Sequence, residues 1–170
     1  MADYGYHRAP PPIVAQPTYY DENGYRMISM SCWAAALSSW LKGTQGSDYS
    51  VANLLQIFRW YVTKNGLDIS YFDRIADSGL VNMYYDFYDP SDLTFDYIYL
   101  QLQQSYLYLM SIPASGPAHV VVLYGVVRDR ATGANEEIQI MDPLFGKLKR
   151  GSLSEYRKLA DSFLVGWVKT

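Results

Sequence analysis

Cysteine and histidine are scarce in this chain, which has one cysteine and two histidines among 170 residues. A single cysteine cannot form an internal disulfide, so we expect a fold that does not depend on oxidation. These residues are also too few for an ordinary zinc site, which draws most of its ligands from them. The composition therefore predicts no metal and no disulfide, and no sequence feature implies an organic cofactor.

The sequence also lacks long apolar runs and an excess of positive charge. No apolar run is long enough to span a bilayer, and the opening stretch MADYGYHRAPPP has no apolar segment of the signal-peptide kind. The net charge of −3 does not indicate nucleic-acid binding. We expect no membrane insertion and no nucleic-acid partner. The expected location is the cytoplasm of the producing cell, or outside it after export without a Sec signal peptide.

The chain does have enough apolar residues for one full hydrophobic core. About half of its residues are apolar, and 170 residues is the usual size of a single domain. Residues 1–18 contain APPP and AQPT, which favour extended backbone and oppose a helix. We therefore predict an extended N-terminal arm over residues 1–18 and a single domain over residues 19–170.

Helical periodicity in the first half gives way to β-branched and aromatic runs in the second. The first two predicted helices begin near Ser31 and after Ser50, and end at Gly43 and at Asn65-Gly66. Two more helices are predicted at 70–78 and 91–104. Strands are predicted at 106–112, 119–127, 136–142 and 163–170, a hairpin or short strand at 144–151, and a last helix at 152–160. Helices followed by a mainly antiparallel sheet predict an α+β fold.

The only cysteine, Cys32, stands in the stretch SCWAAA at the start of the first predicted helix. Unpaired N–H groups and the positive end of the helix dipole stabilise a thiolate at that position. A thiolate is what a cysteine nucleophile requires. Taken alone, however, Cys32 fits better as a small buried residue.

A histidine and an aspartate change that interpretation. His119 opens a hydrophobic strand directly after the loop PASGPA, where a general base would have room for a substrate. His7 lies in the Pro-rich arm, where we expect nothing to fix it. If strands 119–127 and 136–142 are neighbours, Asp142 and His119 lie at the same end of the sheet. The carboxylate would then orient the imidazole and stabilise its cation, although Asp142-Pro143 is also typical of a simple turn.

The stretches SCWAAA, AHVVVLYGV and IQIMDPLFG together resemble the papain-like cysteine peptidases. Among these, the chain is similar to the bacterial C39-like and AvrRpt2-like (C70) groups over roughly residues 28–148. The resemblance implies a papain-like α+β fold and hydrolysis of amide bonds in protein or peptide substrates. It makes Cys32 the nucleophile, His119 the general base and then acid, and Asp142 the residue that orients His119. It also implies a secreted effector or toxin, and a toxin would have an inhibitor or immunity protein as a partner.

The resemblance leaves the reaction open. The same triad would also deamidate or transamidate a glutamine side chain. An alternative of another class is a papain-like binding domain that has lost its activity.

The second oxyanion donor is also open. The family usually has a glutamine a few residues before the cysteine, whereas Arg26 stands six residues before Cys32. Gln16 is the nearest upstream glutamine, and it reaches the site if YYDENGYRMI is an inserted excursion. Asn23 and Arg26 are fallback donors, and the backbone N–H of Cys32 supplies the first donor.

Aromatic residues are numerous, with 17 tyrosines. Tyr84, Tyr85, Phe87 and Tyr88 either line a cleft wall or simply pack in the core or on the surface. We expect Trp33 to pack between the first helix and the sheet.

Overall fold

The computed structural model describes residues 3–170, apart from the side chains of Arg26 and Ile28. Its helices are α1 Cys32–Gln45, α2 Val51–Ile57, α3 Phe72–Ala76, α4 Phe95–Leu102 and α5 Leu153–Arg157. Its strands are β1 Asp3–His7, β2 Thr18–Tyr20, β3 Arg26–Ile28, β4 Val62–Thr63, β5 Gly66–Leu67, β6 Met83–Tyr88, β7 Leu107–Ile112, β8 His119–Asp129, β9 Glu137–Asp142, β10 Lys147–Ser152 and β11 Ser162–Val168. The expected papain-like α+β class is confirmed.

One antiparallel sheet organises the molecule, with the strand order β10-β9-β8-β7-β11-β6. The long strand β8 pairs with β7 over residues 119–123 and with β1 over residues 125–129. Part of the predicted N-terminal arm is therefore a strand of the main sheet. The expectation that nothing fixes His7 was wrong, because His7 pairs with Gly125 in this ladder.

Helix α1 lies against one face of the sheet and is buried on all sides over residues 32–41. Small residues allow this close approach, since Ala34, Ala35 and Ala36 have no exposed surface. A helix that is apolar all round is stable only when it is covered all round. The indole N–H of Trp40 donates a hydrogen bond to the Tyr106 carbonyl, at 2.8 Å, and ties the helix to the residue that precedes β7. The buried residues around α1 form one hydrophobic core cluster. A second cluster lies on the other face of the sheet and includes residues of α4 and α5.

The predicted end of α1 at Gly43 was wrong, because the helix continues to Gln45. Gly46 ends it in the left-handed region, with φ +70°. The N–H groups of Gly46 and Ser47 return to the carbonyls of Lys42 and Leu41. This is the usual glycine-terminated helix end. Gly43 instead faces the Tyr106 ring, which a Cβ atom there would approach to 2.8 Å.

Helix α2 begins after Ser50 as predicted, with reciprocal hydrogen bonds between Ser50 and Asn53. The predicted end at Asn65-Gly66 was wrong, because the helix ends at Ile57 and the β-branched pair Val62–Thr63 forms β4. Strands β4 and β5 make a short hairpin around Asn65-Gly66. This hairpin forms one wall of the cleft beside Cys32.

Two further differences concern residues 83–104. Helix α4 starts at Phe95 and not after Ser91, because the hydroxyl of Thr94 accepts the cap hydrogen bond from the Tyr97 N–H. The four aromatics of the stretch 84–88 lie on β6, which pairs with β11 at the end of the strand order. They do not line the cleft beside Cys32, and Tyr85 packs edge-to-face on Phe72 with ring centroids 4.9 Å apart.

Candidate active site

Cys32 is the first residue of α1, and no side chain caps the N-terminus of this helix. Ser31 occupies the cap position, but its hydroxyl is paired with the hydroxyl of Ser29. N–H groups of the first turn therefore remain available to stabilise negative charge. The Sγ atom of Cys32 lies 3.9 Å from the carbonyl oxygen of Ala118, the residue that precedes His119.

His119 opens β8 and Asp142 ends β9, and these strands are antiparallel neighbours with Val122 opposite Met141. The two side chains meet at one end of the sheet, where His119 Nε2 lies 2.8 Å from Asp142 Oδ1. That contact leaves Nδ1 as the nitrogen free for another partner. Cys32 lies close enough to His119 to contribute to its raised pKa. The structure therefore brings together the cysteine, the histidine and the aspartate that the sequence singled out.

The surroundings of His119 favour its charged form. Burial by itself would lower the pKa of His119, but the hydrogen bond with Asp142, the polar contact with Cys32 and the charges of these two partners raise it to about 9. His119 is therefore protonated at neutral pH and can act as a proton donor.

Asp142 is held by more than the histidine. Its Oδ1 also accepts the Leu144 N–H at 2.9 Å, and its Oδ2 accepts from Lys149 Nζ at 2.8 Å. Burial would raise the pKa of Asp142, but the hydrogen bonds from His119, Lys149 and Leu144 lower it to about 2. Sequence reasoning missed Lys149. The pairing of β9 with β10 was the only signal that would have pointed to it.

A cleft of about 610 Å³ opens beside Cys32. One wall is the β4–β5 hairpin, and another is the loop that leads to His119. Gly66 lets the hairpin approach closely, since a Cβ atom there would lie 3.0 Å from the Met30 carbonyl. The lining side chains are mostly apolar, and they include Met30, Trp33, Leu67, Ile69, Met110 and Val120. An extended polypeptide with apolar side chains would fit this surface.

Gln16 lies at the base of an inserted hairpin formed by β2 and β3. The Ser29 N–H donates to the Pro17 carbonyl at 3.0 Å, so the chain returns beside Gln16 just before Cys32. The side-chain Nε2 of Gln16 donates to the Ser29 carbonyl, and its backbone N–H donates to the Pro143 carbonyl at 2.9 Å. Gln16 is buried, and it thus links the segment that enters α1 with the loop that follows Asp142.

The fallback donor Asn23 is placed less well than Gln16. Asn23 lies exposed in the turn of the β2–β3 hairpin, where its backbone N–H is bound to the Asp21 carboxylate. The side chain of Arg26 lies outside the described part of the chain.

Within residues 3–170, no three side chains of His, Cys, Asp or Glu cluster in a way that would hold a metal ion. None of the helices described there combines the length and the apolar character needed to cross a membrane.

The comparison with protein families agrees with this geometry. A model of the papain-like cysteine protease AvrRpt2 family (C70) matches residues 20–161. The match covers most of the chain, so the protein belongs to this family of papain-like cysteine proteases, which are hydrolases. No curated protein gives a significant match. The matched region contains Cys32, His119 and Asp142, whereas Gln16 precedes it.

The raised pKa of His119 predicts a specific dependence of stability on pH. A group whose pKa is raised by folding stabilises the protein fully below its ordinary value of 6.5, and this contribution is lost as the pH rises through about 9. We expect the free energy of unfolding, measured by urea denaturation, to fall over this interval. In His119→Gln the fall should be much smaller. An equal fall in both proteins would show that other groups cause it.

Proposed function

We propose that the protein hydrolyses peptide bonds in protein substrates, with Cys32 as the nucleophile. The observation that carries the proposal is the hydrogen bond of His119 with Asp142, at 2.8 Å, in a residue that directly follows Ala118, whose carbonyl oxygen lies 3.9 Å from Cys32 Sγ. This arrangement lies at the edge of an apolar cleft. Membership of a cysteine protease family supports the same reaction.

In the first half of the reaction the Cys32 thiolate attacks the carbonyl carbon of the scissile bond, and a C–S bond forms. The tetrahedral intermediate collapses by breaking the C–N bond, while the His119 imidazolium gives its proton to the leaving amine. His119 is then neutral. The Asp142 carboxylate holds the ring in place through Nε2 during this transfer.

In the second half a water molecule attacks the acyl carbon. Neutral His119 takes a proton from that water, the C–S bond breaks, and the carboxylic acid product leaves. The thiolate–imidazolium pair is thereby restored. Asp142 stays ionised throughout, because its pKa of about 2 lies far below working pH.

The developing oxyanion needs hydrogen-bond donors, and we propose two. One is the Cys32 N–H in the uncapped first turn of α1. We assign the other to the side chain of Gln16. Its Nε2 carries two N–H groups, and the hydrogen bond to the Ser29 carbonyl occupies one of them. Ser29 lies three residues before Cys32, and we propose that the second N–H serves the oxyanion.

The proteolysis proposal predicts that cleavage depends on Cys32. The purified protein should generate new N-termini in a native proteome extract, mapped by mass spectrometry, and Cys32→Ala should generate none above background. Cys32 is buried, but Cys32→Ala removes only one sulfur atom at the first turn of α1, so the variant should stay folded with a urea midpoint close to that of wild type.

Two outcomes contradict this prediction. If wild type yields glutamine-to-glutamate changes and no new N-termini, the enzyme is a deamidase. If neither change appears, the domain is a binding module. Loss of folding in Cys32→Ala would instead show that the thiol is a core residue.

The oxyanion assignment makes a separate prediction. Gln16→Ala should lower kcat by about a hundredfold to a thousandfold, with little change in KM, because the donor acts on the transition state. Asn23→Ala is the matched control and should leave kcat unchanged. Kinetics on a peptide identified in the proteome extract, with urea denaturation as a check of folding, measures both. Full kcat in Gln16→Ala would leave the Cys32 N–H as the main donor.

We further propose that the protein works as a secreted effector or toxin that acts inside another cell, as the AvrRpt2-like resemblance implies. A toxin of this kind requires an inhibitor or immunity protein in the producing cell. Expression of wild type and Cys32→Ala in the cytoplasm of a bacterium and of a eukaryotic cell tests this idea. Harm that depends on Cys32 in either host supports it, and equal growth in both hosts contradicts it.

A further inference from the structure

Asp142 has two oxygens with different partners. Oδ1 serves His119 and the Leu144 N–H, while Oδ2 is bound by the ammonium group of Lys149 at 2.8 Å. The Asp142 side chain is only 8% exposed, so water contributes little to its solvation. Each protein donor therefore contributes strongly to holding the carboxylate ionised and in one orientation.

Strand pairing explains how Lys149 reaches this place. In the β9–β10 ladder Lys147 stands opposite Asp142. Lys149 lies two residues further on, on the same face and diagonal to the aspartate. A long side chain spans such a diagonal. Lys149 remains 44% exposed, so its ammonium group keeps part of its hydration while it binds the carboxylate.

We infer that Lys149 is a positioning residue for the reaction, which fixes the Asp142 carboxylate so that its other oxygen is aimed at His119. This inference rests on the proposed function. It assigns to the site a fourth member, which neither the sequence pattern nor the family match identifies.

Charge balance gives Lys149 a second effect. A thiolate, an imidazolium and a carboxylate together carry one net negative charge, and the ammonium group of Lys149 makes the set neutral. Lys147 stands opposite Asp142 in the ladder, and Tyr156 on α5 is a further titratable group near it, whose phenol has a raised pKa because of burial and the charge of Asp142. Without Lys149, a buried anion would face that phenol and a histidine, and Oδ2 would lose its donor.

The test compares three variants. Lys149→Met removes the ammonium group but keeps an apolar stem, Lys149→Arg restores a cation, and Lys147→Met removes a positive charge from the same face of the same strand. We expect Lys149→Met to lower kcat about tenfold with little change in KM, because orientation matters most in the transition state. Lys149→Arg should recover most of the rate, and Lys147→Met should keep all of it.

A second readout does not depend on activity. Carbon-13 NMR of the Asp142 carboxyl group, assigned by comparison with Asp142→Asn, follows its titration in the folded protein. In wild type and Lys147→Met it should stay ionised to about pH 2. In Lys149→Met the midpoint should rise by on the order of one pH unit, the effect of losing one close cation, and Lys149→Arg should reverse the rise.

The two readouts separate the inference from the proposed function. If wild type cleaves nothing but the Asp142 midpoint moves as expected, the peptidase proposal fails and the placement of Lys149 stands. If Lys149→Met keeps both the wild-type kcat and the wild-type midpoint, Lys149 is only a surface residue and the inference is overturned. An equal loss of kcat in Lys147→Met would also overturn it, since the effect would then be one of general charge.

Discussion

The hydrogen bond between His119 Nε2 and Asp142 Oδ1 is the interaction on which the rest of the site depends. It determines which ring nitrogen is left for Cys32, and it stabilises the imidazolium that proton transfer requires. The bond exists because β8 begins where β9 ends, with Val122 opposite Met141. A slip of one residue in this pairing would turn the Asp142 side chain to the other face of the sheet. The proposed catalytic mechanism therefore depends directly on strand register.

Cys32 comes from a different layer, and the core fixes its distance from the sheet. The phenol of Tyr108, fully buried on β7, donates to the Trp33 carbonyl at 3.1 Å and holds the first turn of α1 in place. Trp40 makes a similar tie further along the helix. Sites built on packed helices and strands hold their geometry better than sites on loops. The cleft walls, in contrast, include the short β4–β5 hairpin and the loop before His119. Substrate preference can vary in such segments without disturbing the reacting groups.

Local sequence signals predicted the parts of this structure that depend on local preferences. The β-branched runs predicted β8 and β9. The positions of His119 and Asp142 at the ends of these strands predicted that the two side chains meet. Parts that depend on distant pairing were missed. The short segment DYGYH has no strong strand pattern. It becomes β1 because it pairs with residues 125–129 of β8, beyond the part of β8 that pairs with β7. Lys149 was missed because a diagonal contact is visible only once the register is known. The predicted end of α1 at Gly43 was wrong. A glycine is favoured there inside the helix because the Tyr106 ring, distant in sequence, leaves no room for a Cβ atom.

The central claim is that His119 activates the sulfur of Cys32, and alkylation tests it most directly because the chain has a single cysteine. The rate of labelling by iodoacetamide at pH 7 would be followed by mass spectrometry for wild type and His119→Ala. A neighbouring histidine cation makes a cysteine a better nucleophile, so we predict that His119→Ala slows the labelling of Cys32 about tenfold or more. Equal labelling rates in the two proteins would contradict the central claim.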